Sequence, residues 1–72
     1  MQRLGEKIRT LRKRREMTLK EMAIALGFTS HSYASEIETG KKKPNTAMII
    51  QIADLFGVSV DQLVRDEIDL DE

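Results

Sequence analysis

Three glycines, Gly27, Gly40 and Gly57, each stand where an apolar stripe of helical period stops. A residue just past a helix end often turns left-handed, which glycine does without steric cost. Leu19, Met22, Ala23 and Leu26 precede the first; Ala34 and Ile37 the second; Ile49, Ile52, Ala53 and Phe56 the third. Spacings of three and four put each set on one face of a helix, and no stretch alternates with the period of a strand. Punctuation this frequent excludes long helices and predicts an all-α chain of short amphipathic ones.

The starts of these helices are as legible as their stops. Leu4, Ile8 and Leu11 form a stripe that predicts a first helix from about Gln2 to Arg15. Thr18 with Glu21, and Ser59 with Gln62, have the spacing of capping boxes that open the second and fifth helices. Thr29 or Ser30 can cap the third, and Asn45 the fourth. Residues 1–65 thus form one compact five-helix domain. Residues 66–72, Asp-Glu-Ile-Asp-Leu-Asp-Glu, are expected to be a frayed, solvated acidic tail, the alternative being that its acids compete with phosphate for Arg/Lys groups.

A chain of 72 residues lies near the lower limit for a self-supporting core, burying only about 60% of the surface its unfolded form exposes. Without cysteine, neither disulfides nor thiolate metal sites can reinforce it. Apolar residues beyond one core stripe, namely Met48, Ile50, Leu55, Val60 and Val64, predict a further covered surface and hence a homodimer. The longest apolar run, Met22 to Leu26, is far too short for a membrane span or signal core, so a cytoplasmic chain is expected.

Net charge is zero, but it is not evenly spread. Residues 1–43 carry eleven Lys/Arg and five Asp/Glu, a balance of +6; residues 44–72 carry one Arg and seven Asp/Glu, a balance of −6. Electrostatic association depends on the field within a Debye length of about 8–10 Å, so a polarised neutral chain can still bind a polyanion. The segment from Gly27 to Gly40, a short helix with Ala34 and Ile37 on one side and small polar groups on the other, is followed at once by Lys41, Lys42 and Lys43. Two helices joined by a tight turn, the second polar outside and bracketed by positive charge, suit insertion into a DNA major groove.

Four stretches together carry a resemblance: LGEKIRTLR at 4–12, MTLKEMA at 17–23, SEIETGKKKPN at 35–45 and IADLFGVSVDQL at 52–63. In this order and spacing the chain resembles the Cro and lambda-repressor-like helix-turn-helix family over about five-sixths of its length. The resemblance implies a five-helix fold and double-stranded DNA binding by a transcriptional regulator, commonly a repressor working as a two-fold dimer. It also implies an ion pair between Arg12 and Glu38. Two departures stand out. The interval between Gly27 and Gly40 is one residue longer than the usual spacing, in the turn at Phe28, Thr29 and Ser30. Leu19 occupies a position where the family often has a DNA-contacting Gln, so that contact is lost or moved to Lys20.

With Ala34, Ile37 and Glu38 turned inward, Ser32, Ser35, Glu36 and Thr39 fall on the opposite face, and His31 sits at the helix tip. A solvated face would look the same. Matching positions with the family assigns base contacts to His31, Ser32, Ser35 and Glu36. Serine can bond any base edge, Glu36 can accept from cytosine N4, and His31 can reach guanine or phosphate. The same matching places Thr18, Lys20, Tyr33, Thr39, Lys41, Lys42 and Lys43 on phosphates, although a lysine run is often only surface charge and Tyr33 could equally pack.

Enzymatic chemistry finds no support. His31 between two serines lacks an orienting acid and an oxyanion turn, and five short helices are expected to leave no room for a cleft. One His without Cys makes no zinc site, and no cofactor is implied. The competing reading is a protein-interaction module, such as an antitoxin or adaptor, that binds a regulatory protein partner through the acidic carboxy-terminal half, including Ile68 and Leu70.

Overall fold

Five helices follow one another in the order α1 (Leu4–Arg14), α2 (Leu19–Ala25), α3 (His31–Thr39), α4 (Thr46–Phe56) and α5 (Val60–Val64). The structure is a computed structural model and describes residues 1–71; Glu72, expected in the acidic tail, lies outside the described residues. There is no strand among the described residues.

The helix starts form as their spacing predicts. Thr18 accepts from the Glu21 backbone N–H at 3.0 Å while the Glu21 carboxylate accepts from the Thr18 N–H at 2.8 Å. Ser59 and Gln62 repeat this reciprocal pair, and Asn45 caps α4 through the Met48 N–H at 2.8 Å. Each satisfies amide donors that a helix start otherwise leaves to water. Of the two candidates for the cap of α3, Ser30 fills the role, accepting from Ser32 N–H at 3.2 Å. At the end of α2, Gly27 (φ 80°) allows Phe28 N–H to reach back to Ala23 C=O at 2.8 Å and its own N–H to reach Ile24 C=O. Helix α1 closes in the same way without a glycine, with Glu16 held at φ 55°.

The core gathers the predicted stripes. Leu4, Ile8 and Leu11 of α1 meet Met22, Ala23 and Leu26 at α2, Ala34 and Ile37 of α3, Ile49, Ile52, Ala53 and Phe56 of α4, and Leu63 of α5. Of the expected surplus, Met48, Leu55 and Val64 turn out half-buried against this core, leaving Ile50 and Val60 outside. Helix α1 runs against α3 at Gly5, where an added Cβ would fall 2.3 Å from the Glu38 carbonyl oxygen. Glycine is required there because backbone meets backbone. Arg12 fixes the same seam: its guanidinium donates to both Glu38 carboxylate oxygens (2.7 and 3.2 Å) and to the Met17 carbonyl (2.7 Å). The Arg12–Glu38 pair implied by resemblance is therefore present and nearly buried, with side-chain exposures of 12% and 5%.

The acidic segment departs from expectation. Residues 66–71 do not fray but fold back along α1. Asp66 accepts from the backbone N–H groups of Gln2 and Arg3 at 3.0 and 2.9 Å, just ahead of α1, which starts at Leu4 and not at Gln2. Lys7, 1% exposed, donates to the carbonyls of Gln62, Arg65 and Ile68 at 2.6, 2.8 and 2.6 Å. One ammonium thus uses all three donors to cap the end of α5 and the turn beyond it. No buried side-chain polar atom among the described residues lacks a partner.

Candidate nucleic-acid interface

The position of α3 is set from three sides. Phe28 meets Tyr33 edge-on, ring centroids 4.6 Å apart at 78°, which closes the lengthened turn before the helix. Gly5 and Arg12 hold its far end to α1. Ala34 and Ile37 anchor its inner face in the core. What remains turned outward is His31, Ser32 and Thr39, exposed, with Ser35 and Glu36 partly so. These are the four base-contact candidates and one phosphate candidate on one surface. Tyr33 lies at its edge, half-buried on Phe28.

The loop after α3 is tethered at both ends. Lys42 N–H bonds the Glu36 carbonyl at 3.2 Å and Pro44 is buried, while the side chains of Lys41, Lys42 and Lys43 project into solvent. On the other side of the turn, Lys20 is exposed on the first turn of α2 beside Thr18. The Thr18 hydroxyl oxygen accepts within the cap. Hydrogen bonds from the Thr18 backbone N–H and then its hydroxyl lower the Glu21 pKa below the usual carboxylate value, so this cap stays ionised. The Thr39 hydroxyl donates to its own helix at the Glu36 carbonyl, 3.3 Å away.

The ion pairs sort the cations into two groups. Arg3 pairs with Asp69 (3.2 Å) and Glu6 (3.7 Å), Arg14 with Asp71 (3.0 Å), Arg65 with Asp61 (3.5 Å), and the terminal ammonium with Asp66 (3.7 Å). Lys20, Lys41, Lys42 and Lys43 form no ion pair among the described residues, and neither do Arg9 and Lys13 of α1. Glu36 likewise has no cationic partner there. The sequence alone does not single out Arg9, and it reads Lys13 only as one of four cations, Arg12 to Arg15, that complement the dipole at the end of α1. Nor does it single out Lys7, whose partners are carbonyls 55 to 61 positions away, or Ile24, 66% exposed on the outer face of α2.

Surface clefts do exist, contrary to the expectation that so small a bundle leaves no room. One of about 340 Å³ lies between α1 and residues 69–71, and one of about 350 Å³ at the α2–α3 turn. The first is walled by paired charges and the second by Phe28, Tyr33 and turn residues, with no nucleophile hydrogen-bonded to a base in either. No group of three His, Cys, Asp or Glu among the described residues could hold a metal ion. No helix there is long and apolar enough to cross a membrane.

Comparison with known proteins agrees with this geometry. Residues 3–65 match the family described as a helix-turn-helix domain. The chain is 40% identical over 63 residues to the uncharacterized HTH-type transcriptional regulator YazB of Bacillus subtilis (strain 168), covering 88% of this chain and 90% of that protein. It is 38% identical over 69 residues to the ImmF control region 10 kDa protein of Bacillus phage phi105, covering 96% and 76%. A third relative, the uncharacterized HTH-type transcriptional regulator YqaE of Bacillus subtilis (strain 168), is 32% identical over 63 residues, which span 53% of its length.

Proposed function

This chain belongs to the helix-turn-helix domain family of DNA-binding transcriptional regulators, and we propose that it is a non-enzymatic, cytoplasmic repressor that inserts α3 into the major groove of an operator. One observation carries the reading. The outward face of α3 is polar, and the lysines on both sides of it form no ion pair among the described residues, whereas most arginines elsewhere are already paired. Counterion release needs cations free to meet phosphates. His31, Ser32, Ser35 and Glu36 read base edges; Thr18, Lys20, Tyr33, Thr39 and Lys41, Lys42 and Lys43 hold the backbone.

The repressor works as a homodimer. Ile50 and Val60, 48% and 37% exposed, supply apolar surface for a second copy. A protein-interaction role centred on the acidic segment has less support: Ile68 and Leu70 are half-buried, and Asp66, Asp69 and Asp71 are engaged by α1. Any regulatory protein partner then meets some other surface.

Selection of bound duplexes from a random pool tests this. The expected product is a two-fold symmetric site with half-site centres about 34 Å apart, and Glu36→Gln should shift preference from cytosine toward adenine at one position. A pool that never enriches would overturn the reading.

A further inference from the structure

The cleft beside the carboxy-terminal end of α3 holds a cation that the family-based assignment does not include. Arg9 projects from α1 into a groove of about 290 Å³ that it shares with Glu6, Glu38, Thr39 and Gly40. Two carboxylates border it, and neither forms an ion pair with Arg9. Glu38 is held by both forks of Arg12, and Glu6 lies 3.7 Å from Arg3. The Arg9 guanidinium therefore keeps its donors for an outside acceptor, with no ion pair among the described residues.

Its location relates it to α3. Thr39 belongs to the outward face of that helix, and Gly40 begins the lysine loop. A second groove, of about 160 Å³, continues past Gly5 and Gly40 to Lys42 and Lys43. Because Gly5 puts the α1 backbone directly on the Ile37 and Glu38 carbonyls, the distance between the Arg9 turn and the α3 terminus is set by backbone packing and not by flexible side chains.

We infer that Arg9 is a phosphodiester-binding residue, and that with Lys42 and Lys43 it grips the DNA backbone from both sides of the α3 terminus. Guanidinium suits the task, since its planar fork can donate two parallel bonds to one phosphate. This rests on the reading that the chain binds duplex DNA and extends the contacts to α1.

The test is the salt dependence of binding to a selected duplex, measured for wild type, Arg9→Gln, Arg9→Lys and Arg14→Gln. One lost phosphate contact lowers the slope of log K against log salt by about 0.9. Arg9→Gln should show that loss, while Arg9→Lys, which keeps the charge, and Arg14→Gln, whose partner is Asp71, should retain the wild-type slope. A wild-type slope in Arg9→Gln, or an equal loss in Arg14→Gln, overturns the inference while DNA binding itself stands. A wild type that retains no duplex overturns both.

Discussion

On one flank of α1, Arg3, Lys7 and Arg14 meet the acidic segment; on the other, Arg9 and, one turn later, Lys13 meet solvent. The side chains are of one kind and their circumstances are opposite. On the first flank each cation is matched: Arg3 by Asp69, Arg14 by two oxygens of Asp71, Lys7 by three carbonyls. On the second, as around α3, the charge is left without an ion pair among the described residues. A net charge of zero is thus compatible with a surface that attracts a polyanion, because the acids neutralise one face and leave the other bare.

The matched flank should matter for stability and the bare one should not. The largest effect is expected at Lys7. Lys7→Met keeps the bulk but orphans three carbonyls in a buried setting, and it should cost about 4 kcal/mol. In a domain whose whole stability is on the order of 5 kcal/mol, that lowers Tm by about 20 °C and frees the carboxy-terminal segment to proteases. A loss below about 1 kcal/mol in denaturant unfolding would show that water replaces the ammonium without penalty.

Arg12 comes next. Arg12→Ala leaves Glu38 charged and 5% exposed, at a cost of about 3 kcal/mol, whereas Arg14→Ala breaks a pair exposed at 48% and 77% and should cost less than about 1 kcal/mol. Equal effects on thermal unfolding would mean that the seam between α1 and α3 does not depend on this pair.

The smallest effect concerns pH. The Arg3 backbone N–H, with further help from Gln2 and the amino terminus, holds the Asp66 carboxyl below its ordinary value of 3.8. A depressed folded pKa contributes stability that is present above 3.8 and lost as pH falls through the lower folded value. Asp66→Asn should therefore be less stable than wild type at neutral pH, and the two melting curves should converge in acid. A constant difference down to about pH 2 would exclude this linkage.

These contrasts also mark how far the sequence could be read. Thr18, Asn45 and Ser59 were legible because a cap and its partner lie within three positions, and Gly40 and Gly57 because a left-handed end is a local need. The outward face of α3 followed from turning Ala34 and Ile37 inward. The Arg12–Glu38 pair was reachable only through resemblance, since its members are 26 positions apart. The role of Lys7 was not legible, and the folded-back segment was legible only as the alternative that its acids meet Arg/Lys groups. Backbone carbonyls carry no residue identity, and by composition residues 66–71 look like a solvated tail until their acids are placed opposite Arg3 and Arg14. Arg9 was hidden for a related reason: a bare cation is recognised only once the neighbouring carboxylates are seen to be occupied.

The difference between bare and matched cations can be measured directly by the salt dependence of duplex binding in two variants. One replaces Lys41, Lys42 and Lys43 with Ala; the other replaces Arg3 and Arg14 with Ala. Three lost phosphate contacts should lower the slope of log K against log salt by about 2.7 in the first, while the second keeps the wild-type slope. Equal losses in the two, or a loss confined to the arginine variant, would contradict the assignment of the DNA-facing surface.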